Sequence, residues 1–216
     1  MKRAVGLAAI LALVFLSGCA GLFLPATPIT LAHPTVRGAV YLLRGGFNIF
    51  STGMDDLAAK LRADGIDARS EGHAQWPEIA AEARDRYAKD KTPIVIVGHS
   101  WGALAADLIA MELQKSNTPI ALMILYDGTD SVKIPANVRH VINFISHTNI
   151  GMGYKAFALP GFTGTIENID EPAYNHTNID NAVPLQDASI GAILQVLRTS
   201  TRAARRHQVA LRFPGK

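Results

Sequence analysis

The sequence predicts an α/β fold: a three-layer, doubly wound, mostly parallel sheet with helices on both faces. Three observations carry this. Short β-branched runs alternate with helix-length amphipathic stretches from residue 37 onward, the pattern of parallel strands joined by crossover helices. One run, Ile120 to Tyr126, is apolar throughout, as a strand covered on both faces must be. And Ile94-Val95-Ile96-Val97 drives into Gly98-His99-Ser100-Trp101-Gly102 with a helical pattern directly behind it, giving strand, sharp turn and helix in that order.

The elements follow in turn. Arg37 to Leu43 predicts the first strand, and Met54 to Ala63 an amphipathic helix closed by Gly65 in the left-handed conformation. Ile66 to Ser70 reads as a weaker strand, and Pro77 to Lys89 as a helix with proline in its first turn. Ile94 to Val97 is the strand before the turn and Trp101 to Lys115 the helix after it. Ile120 to Tyr126 and Val138 to Ile145 are the fourth and fifth strands. The connection from Asp127 to Asn137 holds Pro135 and is too short for a full helix. A long glycine-rich loop then leads to a last helix from Leu185 to about Arg202.

At 216 residues with 49% hydrophobic and 18% charged content, the chain is long enough for one well-buried core and is not disordered. Of its 21 Lys and Arg, Lys2 and Arg3 lie in a segment expected to be removed, leaving 19 against 18 Asp and Glu. That balance gives no reason to expect nucleic acid as a partner. Lys2 and Arg3 form a positive n-region, and residues 4 to 16 are apolar but too short to span a bilayer comfortably. The stretch ends in Leu16-Ser17-Gly18-Cys19, which resembles a bacterial lipobox. That resemblance implies a signal peptide over 1–18 and lipidation of Cys19, the only cysteine of the chain. Ala20 after it resembles an outer-membrane sorting signal. An ordinary secretory signal or an uncleaved anchor are the other readings of this segment. Residues 19–35, with Pro25, Pro28 and Pro34, read as a tether whose extended reach is on the order of 50 Å. The domain then occupies 36–216.

The turn at Ser100 is the chemical centre. A serine forced into a strained strand-to-helix turn exposes its hydroxyl above the C-terminal edge of the sheet, at the positive end of the next helix dipole. Glycine two positions to either side removes the side chains that would obstruct the turn. Ser100 is therefore the candidate nucleophile, and the N–H of Trp101 a candidate oxyanion donor. A glycine-rich turn with an incidental serine is the plain alternative.

Taken together, these features resemble the α/β-hydrolase superfamily from its third strand onward, with the first two strands missing. The likeness covers about residues 36 to 205 and is greatest to small, lid-poor members such as cutinases and minimal bacterial lipases. It implies a chain order of serine, acid, histidine. His176, in Asn175-His176-Thr177-Asn178 before the last helix, stands where the family keeps its base. His147, after the fifth strand, is the second candidate. His33 in the tether, and His73 and His99 ahead of Ser100, break the order; His99 reads as a packing neighbour of the nucleophile. For the acid, Asp127 ends the all-apolar fourth strand, and Asp130 follows in the same loop. The family more often carries its acid after the next strand, but here that strand ends Ser146-His147-Thr148, which favours the earlier position. Asp170, Glu171 and Asp180 read as loop and capping residues. Gly45-Gly46-Phe47 resembles the family's oxyanion loop, which would make the Phe47 N–H the partner of Trp101's.

The glycine-rich stretch from Gly151 to Gly164, with Tyr154, Phe157 and Phe162, reads either as the wall of an acyl pocket or as cover for the sheet edge. The arginines from Arg198 to Arg212 read as a solvated helix end. The expectation is thus a lipid-anchored, extracytoplasmic serine hydrolase of carboxylic esters or thioesters, needing no metal or organic cofactor, with a small-molecule or lipid acyl substrate. A non-catalytic binding module of the same fold, or an acyltransferase or peptidase on the same three residues, are its rivals.

Overall fold

The computed structural model describes residues 31–46, 51–147 and 153–212, with side chains of the last helix described to residue 202. Cys19, with the rest of the expected signal and most of the expected tether, lies outside the described residues, as does Phe47. Among the described residues no helix is long and apolar enough to cross a membrane.

Among the described residues the strands and α-helices follow in order: β1 (Val36–Arg44), α1 (Gly53–Ala63), β2 (Ile66–Gly72), α2 (Trp76–Asp90), β3 (Ile94–His99), α3 (Trp101–Lys115), β4 (Ile120–Tyr126), β5 (Lys133–Ile134), β6 (His140–Ile145), β7 (Phe157–Ala158), β8 (Thr165–Asp170) and α4 (Val183–Arg212). Six strands form one sheet in the order β2-β1-β3-β4-β6-β8, and all of its pairs are parallel. β5 and β7 make a separate two-stranded pair.

Period-two alternation sorts the central strands into two cores. Tyr41, Leu43, Ile96, Met123 and Leu125 face a cluster built with Ile79 and Ala83 of α2 and Ala106, Ile109 and Leu113 of α3. Val40, Leu42, Val97, Ile124 and Tyr126 face the other way, onto Leu57 and Leu61 of α1 and Ile193 and Leu197 of α4. Helices α2 and α3 therefore cover one face and α1 and α4 the other, as the doubly wound expectation requires. The Tyr126 hydroxyl anchors α4 by bonding to Ser189 Oγ at 2.6 Å and donating to the Leu185 carbonyl at 3.2 Å.

Element boundaries agree with the sequence reading to within a residue or two, except that the last helix runs to Arg212, ten residues past its expected end. Gly65 sits at φ 79° behind α1 as expected of a C-terminal cap. The loop between the fifth strand and the last helix differs. It contributes β8, a sixth sheet strand that the sequence does not announce. Thr165-Ile-Glu-Asn-Ile-Asp170 lies at the sheet edge and is largely exposed, so no continuous apolar run marks it. The short connection after β4 carries β5 in place of a helix.

Candidate active site

The C-terminal ends of β3, β4 and β6 lie level. His99 pairs with Tyr126 and Tyr126 with Phe144. The ladder runs one residue further at each step: Ser100 N–H donates to the Tyr126 carbonyl at 3.0 Å and Asp127 N–H to that of Phe144 at 2.8 Å. Ser100 and Asp127 are thereby set side by side where the strands stop.

Both leave the sheet in strained conformations. Ser100 has φ 59° and ψ −121°, and Asp127 has φ 45°, a region costly for residues with a Cβ. The two glycines of the turn are needed for space. A Cβ on Gly102 would come within 2.1 Å of the Leu43 carbonyl oxygen, and one on Gly98 within 2.3 Å of Gly102's. The turn can form because α3 packs backbone to backbone against β1.

The third side chain arrives from far along the chain. The loop after β8 is braced by its own polar residues: Asn175 Oδ1 accepts from the Thr177 N–H and hydroxyl at 3.0 and 2.8 Å, and Asn178 Oδ1 from the Asn175 N–H at 2.8 Å. This delivers His176 with Nε2 3.0 Å from Ser100 Oγ and Nδ1 2.7 Å from Asp127 Oδ2. Asp127 also accepts Ser146 N–H at 2.8 Å and Ser146 Oγ–H at 2.7 Å. Burial pushes the Asp127 carboxyl up, but the bonds from His176 and Ser146 outweigh it and hold the pKa below the usual 3.8. An ionised Asp127 accepts a hydrogen bond from the Nδ1–H, so Nε2 faces Ser100 as an acceptor. In this geometry the Ser100 proton can pass to His176.

The competing residues stand elsewhere. His147 is half exposed and bonds Asp170 Oδ1 at 3.0 Å. Asp130 is exposed, with its Oδ1 on the Ser131 N–H. The structure thus brings together Ser100, Asp127 and His176 and does not bring His147 or Asp130 to them. Trp101 opens α3, its ring edge-on to His73 with centroids 5.3 Å apart. Gly45 lies against Ser100: a Cβ there would be 2.8 Å from Ser100 Cβ. Among the described residues no cluster of three His, Cys, Asp or Glu could hold a metal ion.

The overall architecture of this chain is similar to that of several solved structures. Est1E from Butyrivibrio proteoclasticus superposes with a TM-score of 0.53 over 80% of this chain and 100% of its own, at 12% identity. An arylesterase gives 0.51 over 77% of each chain at 8%. The esterase of the hyperthermophilic archaeon Pyrobaculum calidifontis gives 0.50 over 83% of this chain and 86% of its own at 11%. The fold is that of the α/β-hydrolases. No family profile matches the sequence, and no curated protein is similar to it. The likeness is therefore one of architecture.

Two features of this hydrolase-fold chain escaped the sequence. A cleft of about 320 Å³ opens beside Trp101, walled by His73, Trp76, Leu104, Ala105 and Leu108. None of the described residues of the glycine-rich stretch lines it: Phe162 packs against the core cluster on the α2–α3 face of the sheet, and Phe157 pairs with β5. The second is Asp180, which is fully buried. Its Oδ2 accepts the Gly53 N–H at 3.0 Å and so caps α1. Capping was legible in Asp180, but not which helix it caps. Burial pushes its carboxyl up to about 6, against the partial relief of the Gly53 bond.

That raised value has a sign. A carboxyl at about 6 when folded and 3.8 when unfolded favours the fold in its neutral form, so its contribution is lost as pH rises through that window. Asp180→Asn keeps an acceptor for Gly53 and removes the charge. Thermal unfolding should show no difference from wild type near pH 4 and a gain on the order of 2–3 kcal/mol above pH 6. A variant less stable than wild type at pH 8 would refute the assignment.

Proposed function

We propose that this chain is a membrane-anchored serine hydrolase that cleaves carboxylic esters or thioesters outside the cytoplasm. The observation that carries the reading is the bonded series Ser100 Oγ, His176 Nε2 and Nδ1, Asp127 Oδ2, at 3.0 and 2.7 Å, standing at the strand ends of an α/β-hydrolase sheet. In the reaction Ser100 Oγ attacks the acyl carbon while its proton moves to His176 Nε2. The carbonyl π bond opens to a tetrahedral oxyanion, held by the N–H of Trp101 and that expected of Phe47. His176 returns the proton to the departing alkoxide or thiolate, leaving the acyl group on Ser100. Water then attacks the acyl carbon as His176 takes its proton, the acyl–Oγ bond breaks, and His176 returns that proton to Ser100 Oγ as the acid leaves. Asp127 holds the imidazole tautomer and offsets the imidazolium charge. Losing one oxyanion donor typically raises such a barrier by about 3–4 kcal/mol.

The cleft beside Trp101 supports an apolar acyl or alcohol portion, since its walls are aromatic and aliphatic. Labelling with a fluorophosphonate tests the reading, because the probe reports an activated serine without knowledge of the substrate. Wild type should label, Ser100→Ala should not, and an unlabelled wild type would overturn it.

The membrane attachment rests on Leu16-Ser17-Gly18-Cys19. Cys19→Ser should stop palmitate incorporation and move the protein out of the membrane fraction. Undiminished palmitate labelling would refute lipidation at Cys19.

A further inference from the structure

Beside Ser100 runs a second hydrogen-bond chain that the proposed acyl transfer does not use. Gly45 N–H donates to Ser51 Oγ at 2.9 Å; Ser51 Oγ lies 2.6 Å from His99 Nδ1; His99 Nε2 lies 2.9 Å from the carbonyl oxygen of His176. Its direction is forced. A carbonyl oxygen only accepts, so His99 Nε2 carries the proton; Nδ1 of the neutral ring then accepts, and the Ser51 hydroxyl must donate to it. Each His99 nitrogen has a single role, and Ser51 Oγ accepts from Gly45 while donating to His99, so no member is free to reverse. His99 is 2% exposed and Ser51 6%, and Ser51 is held at φ 81°. The Gly45 carbonyl is fixed as well, accepting from His73 Nδ1 at 3.2 Å.

The two ends of this chain are what the proposed chemistry must hold still. One is the backbone of Gly45, packed against Ser100 and leading into the loop expected to bear an oxyanion donor. The other is the backbone of His176 itself. We propose that His99 is a positioning residue which ties the Gly45–Gly46 loop to His176, so that oxyanion loop and base keep one fixed geometry about Ser100. The proposal rests on the hydrolase reading above. His99 takes no part in proton transfer: Nε2 is committed to the His176 carbonyl. Burial first, then the nearby His176 ring, push its pKa down to about 4 against the pull of the His176 carbonyl bond and Asp127, so the ring stays neutral wherever the enzyme would work.

Single substitutions separate the two halves of the link. Asparagine places its amide near the Nδ1 position and keeps an acceptor for Ser51; glutamine reaches the Nε2 position and keeps a donor for His176; phenylalanine keeps only the ring shape. His99→Phe should lower kcat about 100-fold, the cost expected of a displacement near 1 Å, with KM within about threefold. His99→Asn and His99→Gln should each fall between it and wild type. Ser51→Ala combined with His99→Phe should be no worse than His99→Phe alone, because both break one chain. Folding of each variant is checked by far-UV CD, and if His99→Phe does not fold, the asparagine and glutamine variants carry the test. A folded His99→Phe with kcat within threefold of wild type, a loss confined to KM, or multiplicative effects in the double variant would overturn the proposal. Nitrogen-15 NMR of the imidazole gives a readout independent of turnover. It should show Nε2–H protonation of His99 unchanged from pH 8 to about 5. An Nδ1–H tautomer, or titration near 6.5, overturns the link even if the wild type proves inactive, a result that would by itself refute only the hydrolase reading.

Discussion

Ser100→Ala is expected to abolish fluorophosphonate labelling and to lower ester turnover by roughly 10⁴–10⁶-fold, with an unchanged far-UV CD spectrum. His176→Ala should cost as much, since nucleophile and base act as one unit and the loss of either leaves only binding and oxyanion stabilisation. The fold should tolerate both changes. Alanine adopts the strained φ 59° of the turn no less readily than serine, and the side-chain bond removed by Ser100→Ala is the 3.0 Å contact to His176. His176→Ala keeps the backbone carbonyl on which His99 ends. His147→Ala and Asp130→Asn are the controls, and both should stay within about tenfold of wild type. Exposed and bonded to Asp170 and to a local backbone N–H respectively, they have no path to the serine proton. A dead His147→Ala beside a mild His176→Ala would move the base to the end of β6 and refute the assignment.

What the sequence discloses here is decided by burial and by distance along the chain. β3 and β4 are legible because strands covered on both faces must be apolar at every position, and Ile94–Val97 and Ile120–Tyr126 are. The turn at Ser100 is legible because its constraints are local: two glycines within two residues, each excluded from bearing a Cβ by backbone oxygens 2.1 to 2.3 Å away. β8 is hidden for the opposite reason. Its exposed edge position asks for no apolar pattern, and its Glu167 and Asp170 are occupied with His140 and His147. The acid and base are intermediate cases. Asp127 is set apart from Asp130 in the sequence only by directly following an all-apolar strand; what holds it in the site is Ser146, nineteen residues on, which supplies two of its three bonds. In the sequence His99 reads as packing because both its partners lie far away, Ser51 by 48 residues and His176 by 77. Long-range polar contacts of this kind leave no periodicity to read.

Those Ser146 bonds also predict how Asp127→Asn fails. Oδ1 of Asp127 accepts a backbone N–H, which cannot reverse, so an asparagine must keep its carbonyl oxygen there. Its amide NH₂ then takes the place of Oδ2 and points a donor at His176 Nδ1, 2.7 Å away in the native site. To avoid two opposed protons the imidazole must become the Nε2–H tautomer, which presents a proton, not a lone pair, to Ser100. Turnover should fall about 10³–10⁴-fold with KM little changed, the size of effect a wrong tautomer produces in a serine-histidine-aspartate site. His176→Ala combined with Asp127→Asn should be little worse than His176→Ala alone, because an orienting group has nothing left to orient. Removing only the Ser146 hydroxyl, in Ser146→Ala, leaves the N–H that fixes the carboxylate and should cost far less, about tenfold. Asp127→Asn within tenfold of wild type, or a double variant in which the two losses multiply, would show that the carboxylate does not act through the imidazole.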